Sequence, residues 1–210
     1  MVFLQLNGER SMKKGPLNPD NNPLFSKPQT IPIEYWDRLQ QIYSVDKINF
    51  TFLSKPAFVD LKSRKIHFSF SVKETFQLYL VVLTYVYEKK QKGISEKIEW
   101  VLPNELKGGI HFFRDSHPID TEKIIIKYRD NYNLLEERFK KIGALPVSIG
   151  DKGFIVPVFD EIFLRYILWE GDEELPSVLT INVQRGLEDF FNLDVIWAMI
   201  NVVNQILLDY

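Results

Sequence analysis

Apolar positions along this chain recur with two different periods, and each change of period marks a change of element. In IEYWDRLQQIY, directly after Pro32, residues Ile33, Trp36, Leu39 and Tyr43 fall on one face at helical spacing, and Pro32 suits a first turn. From INFTFL the period drops to two: Ile48, Phe50 and Phe52 alternate with Asn49 and Thr51, as in a half-buried strand. AFVDL, the polar turn KSRK and IHFSF continue as strand, turn and strand, with Ile66, Phe68 and Phe70 facing a core and His67 the other side. FQLYLVVLTYVYE, Phe76 to Glu88, is apolar around most of its circumference. Its length, the KKQK after it and the stop at Gly93 select a helix over a strand, against its β-branched content.

KIEWVL reads as a short extended segment and PNELKGG as one helical turn stopped by Gly108 and Gly109, where glycine takes a positive φ readily. HFFRDSHPID reads as the end of a short strand running into a polar turn, after which Asp120 caps a helix over 121–128. In NLLEERFKKIG, Asn133 three residues before Glu136 is read as the cap, Leu134, Leu135, Arg138, Phe139 and Ile142 as the inward stripe, and Gly143 as the stop. Strands return with LPVSI, FIVPVF, FLRYILW and VLTINV. Leu193 to Leu208 then forms a helix with Asn192 as cap and Val195, Ile196, Met199, Ile200, Val203, Ile206 and Leu207 on its broad inner face.

These elements predict an α+β fold over residues 31–210: a single domain with one mainly antiparallel sheet, built from segments near 48–70 and 145–183 and packed against the helices at 76–90 and 193–208. Residues 1–30 carry Asn18, Asn21 and Asn22 with Pro16, Pro19, Pro23 and Pro28, and read as a flexible N-terminal arm with Leu24 and Phe25 as its anchors. The run from Gly153 to Pro176, GFIVPVFDEIFLRYILWEGDEELP, is the apolar spine of the second strand region, and it ends in an acidic turn.

Composition narrows the function classes. With 45% hydrophobic residues and 16 Phe, 9 Tyr and 4 Trp, the chain has a ring-filled core. A net charge of -2 gives no general attraction to phosphate backbones, so no nucleic acid is expected as a partner. The absence of Cys rules out disulfides, thiol catalysis and Cys-held zinc or iron–sulfur centres within the chain, and suits a reducing cytoplasm. MVFLQL is too short and lacks the basic segment of a signal peptide, and the most apolar windows are short or interrupted, so a soluble, cytoplasmic protein with no membrane partner is expected.

Two stretches offer chemistry. Glu170, Asp172, Glu173 and Glu174, with Trp169 before them, supply the clustered oxygens that hard cations take, but not at the spacing of the twelve-residue calcium loop. Such carboxylates repel unless a cation, Arg165 or nearby lysines counter them. A solvated turn is the simplest reading, with a partner-binding or gating loop next. His111, Asp115 and His117, with Asp120 nearby, combine imidazole and carboxylate, which suits Zn, Fe or acid–base work near neutral pH. Here too a surface turn with a hydrogen-bonded His is simpler, and Asp120 is better explained as a cap. KGG at 107–109 lacks the longer pattern of a phosphate loop, and no G-x-S-x-G elbow exists. Catalytic residues, metal and cofactor therefore stay unassigned.

The motifs LTYVY with its L-x-Y pattern, GGIHFF with G-G-x-x-x-F, and LWEGDEELP together resemble an uncharacterised bacterial and archaeal domain family of unknown function. The resemblance spans most of the chain from Ile33 onward. It implies a shared fold and an anaerobic context beside iron–sulfur or corrinoid proteins, which a chain without Cys reaches only through a separate partner. The expected function is thus a binding or accessory domain, serving a metallo- or corrinoid-enzyme system through a protein partner or a small-molecule ligand. One alternative is a metal-assisted enzyme in which His111, Asp115 and His117 face the acidic loop across a cleft. A second is an oligomeric interaction subunit, whose sign is an exposed apolar patch of several hundred Å².

Overall fold

Two antiparallel sheets form where the strand pattern predicts one. The computed structural model describes residues 31–93 and 98–209, Asp115 and Ser116 by backbone only; the expected arm at 1–30 lies outside them. The first sheet pairs β1 (Lys47–Phe52), β2 (Lys55–Asp60) and β3 (Lys65–Phe68) in that order. Leu53 and Ser54 join β1 to β2 with φ of 51° and 59°, a two-residue turn usually given to Asn-Gly. Leu53 is held there by its own burial, at 0% exposure, and by its N–H on Val158 O at 3.1 Å. Strand periodicity says nothing about which strands pair, and so the split into two sheets is invisible to it.

Helix α1 (Ile33–Ile42) lays Trp36 edge-on to Tyr79, while Ile33, expected on the inner face, is 48% exposed. Helix α2 (Phe76–Gln91) follows, its first turn closed by the Thr75 hydroxyl accepting from Leu78 N–H. It is central, as all-round apolarity predicts, and packs along α7 (Leu193–Asp209), which Asn192 caps. Among the described residues no helix is long and apolar enough to cross a membrane.

The second sheet has the order β4 (Trp100–Val101), β8 (Val178–Gln184), β7 (Phe163–Trp169), β6 (Lys152–Pro157), β5 (Leu145–Val147). The apolar spine thus supplies its middle strand. Phe154, Leu164, Tyr166, Leu168 and Ile181 form its inner face. On that face α5 (Tyr132–Lys141) sets Phe139 at 4.3 Å from Phe154 and 5.1 Å from Tyr166, and α7 accepts the Tyr166 hydroxyl on Asn204 at 2.8 Å. Asn131, rather than Asn133, caps α5, its side chain accepting from Leu134 N–H.

HFFRDSH is helical, not the strand end its sequence predicts. A 3-10 turn at Pro103–Glu105 reaches Gly108, whose φ of 80° reverses the chain. Gly109 then backs onto the Pro103 carbonyl so closely that a Cβ there would lie 2.3 Å from it, and α3 (Gly109–His111) and a π-helical turn, Phe112–Ser116, follow. Helix α4 (Glu122–Tyr128) comes next; its N-cap is Thr121 rather than the expected Asp120, whose carboxylate accepts from Glu122 N–H just ahead of the helix.

The two sheets meet at the turn between β6 and β7. Phe159 lies 3.8 Å from Tyr85 of α2, ring on ring, and 5.6 Å from Phe52 of β1. Phe163, four residues on, lies outside the contiguous core. Replacing Phe159 by Ala is expected to cost about 3–5 kcal/mol, and replacing Phe163 by Ala about 1 kcal/mol or less. Urea unfolding of both variants checks the contrast.

Candidate functional site

Of the predicted His cluster, only His117 is enclosed. His111 sits exposed in α3, and the Asp115 side chain lies outside what is described. The π-helical turn ends with His117 N–H on Phe112 O at 3.1 Å, and this wider turn stacks the imidazole on the Phe112 ring at 4.0 Å and 1°. Trp197 closes the other side edge-on at 5.0 Å while its indole N–H donates to Pro118 O. His117 is 8% exposed, and among the described residues neither ring nitrogen has a hydrogen-bond partner. An acid, Asp194 in the first turn of α7, lies 3.9 Å from Nε2. Burial pulls the His117 pKa down, partly offset by Asp194, while burial pushes Asp194 up, partly offset by His117. Both groups are thus drawn toward neutrality. Asp194 was not among the residues the sequence singled out, because it lies 77 residues downstream in a different helix. Among the described residues no group of three His, Asp or Glu stands ready to hold a metal.

The acidic turn is built by its own backbone. Asp172 accepts from Glu174 and Leu175 N–H at 2.8 and 2.9 Å, which holds its carboxyl below the usual range. Glu170 N–H donates to Asp151, and a Cβ on Gly171 would lie 2.5 Å from Leu175 O, so glycine is required there. Asp172 is therefore a turn former, while Glu170, Asp172, Glu173 and Glu174 make no ion pair among the described residues. Beside them Trp169 is 52% exposed and faces Val178, 48% exposed, across the β7–β8 pair.

The acidic turn and the segment that leads into the His residues attach to opposite ends of β8. The turn opens at the Val178 end of β8, whereas residues 100–107 are tied to its other end through Trp100 opposite Gln184 and Lys107 N–H on Glu188. Six strand steps, about 20 Å, separate those ends.

Two constellations escaped the sequence reading. Tyr85, from the L-x-Y pattern, donates to Glu161 at 3.0 Å and accepts from Lys89 at 2.9 Å; Lys89 also meets Asp160 and Glu161 at 3.0 Å, and Thr51 donates to Asp160. Burial raises the Tyr85 pKa, and the contacts of Lys89 outweigh its own burial and raise it too. Neither is poised to exchange a proton near neutral pH, and the group acts as a clamp between α2 and the turn joining β6 to β7. The second constellation is the outer face of the five-stranded sheet. Trp100, Val147, Ile155, Phe163 and Ile167 point there and belong to no part of the contiguous core. Arg165 lies among them, bonded to Asn182 and not to the acidic turn that sequence proximity offered it.

His117 gives a signed pH dependence. Its folded pKa lies below its ordinary value near 6.5, so its contribution to stability is full above that pH and is lost as the pH falls toward the folded value. Asp194 acts in the opposite sense, in a window starting lower, near the ordinary carboxylate range. Thermal unfolding from about pH 7 to pH 5 is expected to show a steeper loss for the native chain than for His117→Phe; parallel curves would contradict it.

Neither the curated proteins nor the solved structures contain a match to this sequence. Its residues 32–205 match a family model described as a domain of unknown function, and that match carries no iron–sulfur or corrinoid association. Since the match spans most of the chain, the protein belongs to the family Domain of unknown function (DUF3786).

Proposed function

We propose that this is a binding or accessory domain that docks onto a separate protein through the outer face of its five-stranded sheet, acting in a reducing compartment such as the cytoplasm. One observation carries the reading. On its outer face β8 carries the polar Thr180, Asn182 and Gln184, but β5, β6 and β7 present Leu145, Val147, Ile155, Phe163, Ile167 and Trp169 there around Arg165, while the packing contacts of α5 and α7 fall on the inner face. An antiparallel sheet with a solvated face ordinarily alternates apolar and polar residues, so β6 and β7 have the composition of strands covered on both sides. Leu145 at 64%, Trp169 at 52% and Val178 at 48% exposure extend it to the rim. Large contiguous apolar patches of that kind mark interaction surfaces. The unpaired acids after Trp169 border one end, and they favour a partner with basic groups there.

Native mass spectrometry of the protein purified from its own host tests the reading. The unaltered chain is expected to carry a stoichiometric protein partner that is missing from the Trp169→Thr, Val178→Thr double variant, with the unfolding midpoint moved by no more than about 3 °C. A partner retained by the variant would overturn the docking face. So would a dimer of this chain alone that the variant dissolves, since the covering partner would then be a second copy.

A further inference from the structure

The docking face carries a charge near its middle, and among the described residues that charge has no counter-ion. Arg165 sits at the centre of β7, opposite Ile155 on β6 and Asn182 on β8. Its Nε and one terminal nitrogen donate to Asn182 Oδ1 at 3.1 and 2.9 Å, and its guanidinium lies 5.0 Å from the centre of the Trp100 ring. Asn182, its cross-strand neighbour on the same face, is only 6% exposed, so the group is pinned from the side and flanked by an aromatic face. Among the described residues no carboxylate pairs with Arg165, in contrast to Arg64 on Asp37 and Arg185 on Glu99. The difference shows in the charges themselves: burial lowers the Arg165 pKa, whereas Glu99 raises that of Arg185. The acidic turn begins beyond Trp169, four strand steps or about 13 Å away, too far to serve as its counter-ion.

A guanidinium has five N–H donors in a fixed fork, and a carboxylate matches two of them side by side. Here two donors go to one amide oxygen, and among the described residues the rest have no protein acceptor. A half-buried cation set among Trp100, Ile155 and Phe163 is unfavourable until an anion meets it, and the pairing is strongest once a partner has excluded water. We propose that Arg165 recognises a carboxylate, an Asp or Glu side chain of the docked protein; this rests on the docking reading above. Together with the acidic turn it gives the face a polarity, with an acidic group of the partner over Arg165 and basic groups over residues 170–174. The partner can then seat in one direction only.

The test uses the full chain, isotopically labelled, titrated with phenylacetate while the Arg165 Nε–H and Trp100 indole N–H resonances are followed. Both are expected to shift saturably with phenylacetate and not with the neutral phenylacetamide. Arg165→Met is expected to weaken the Trp100 response by about tenfold or more, with an unfolding midpoint equal to or above that of the native chain, because an unpaired charge has been replaced by an apolar stem. Arg165→Lys keeps the charge and loses the fork, and is expected to fall in between. Equal responses to the acid and the amide would overturn the proposal. An unchanged titration in Arg165→Met would do the same, and so would a midpoint several degrees lower in that variant, the mark of a structural strut. Tighter binding of phenyl phosphate than of phenylacetate would reassign the site to phosphate and overturn the carboxylate. In the host-derived protein, a partner lost from the Trp169→Thr, Val178→Thr variant but kept by Arg165→Met would leave the docking face standing and remove Arg165 from it. A partner kept by both would remove the docking face itself.

Discussion

A five-stranded sheet has two faces, and in this fold the helices that pack on it sit on one side. Side chains alternate along a strand, so every second residue of β7 is committed to each face. Leu164, Tyr166 and Leu168 belong to the core, where Tyr166 meets α5 and α7, while Phe163, Ile167 and Trp169 lie outside it beside Arg165. A strand that is apolar on both sides usually lies between two covering layers. Here the fold itself supplies one of those layers, and the functional reading follows from that shortfall.

The joint between the sheets depends on rings more than on charges. Tyr85 is fully buried and lies against Phe159, which in turn touches Phe50 and Phe52 of the first sheet. The ion pairs of Lys89 at the edge of this stack are roughly 40% exposed on both partners, where water screens them and their net contribution is small. Their effect is geometric: they hold the turn between β6 and β7 against α2, so Phe159 stays seated. Gln184 extends the hold, accepting from Phe163 N–H and donating to Glu161 O.

Much of this architecture was legible in the sequence. Ile48, Phe50 and Phe52 alternate into the core as read, α2 and α7 form where apolarity runs around the helix, and the turn after Trp169 is solvent-facing. What stayed hidden is what local pattern does not encode. The split into two sheets depends on pairing partners, and HFFRDSH became helical because Gly108 and Gly109 redirect the chain ahead of it. The four acids looked alike in sequence, yet only Asp172 is occupied by backbone N–H groups. Arg165 appeared as a neutraliser of those acids because it is close to them along the chain. Residues 165 and 169 share a face but stand four strand steps apart, and the guanidinium turns instead toward Asn182.

The outer strands of the five-stranded sheet limit how it is approached. β4 contributes two residues and β5 three, and the second of those three is Pro146, which has no N–H to offer. Neither border presents the long row of unpaired donors and acceptors on which a foreign strand could be templated. The sheet is thus closed at its sides while its outer face is covered only in part, with Ile167 7% and Val178 48% exposed: it resists growth by strand addition, the usual route from an exposed apolar sheet to a fibre. A chain can carry such a surface without polymerising along it, and what covers the face must lie across the strands rather than continue them.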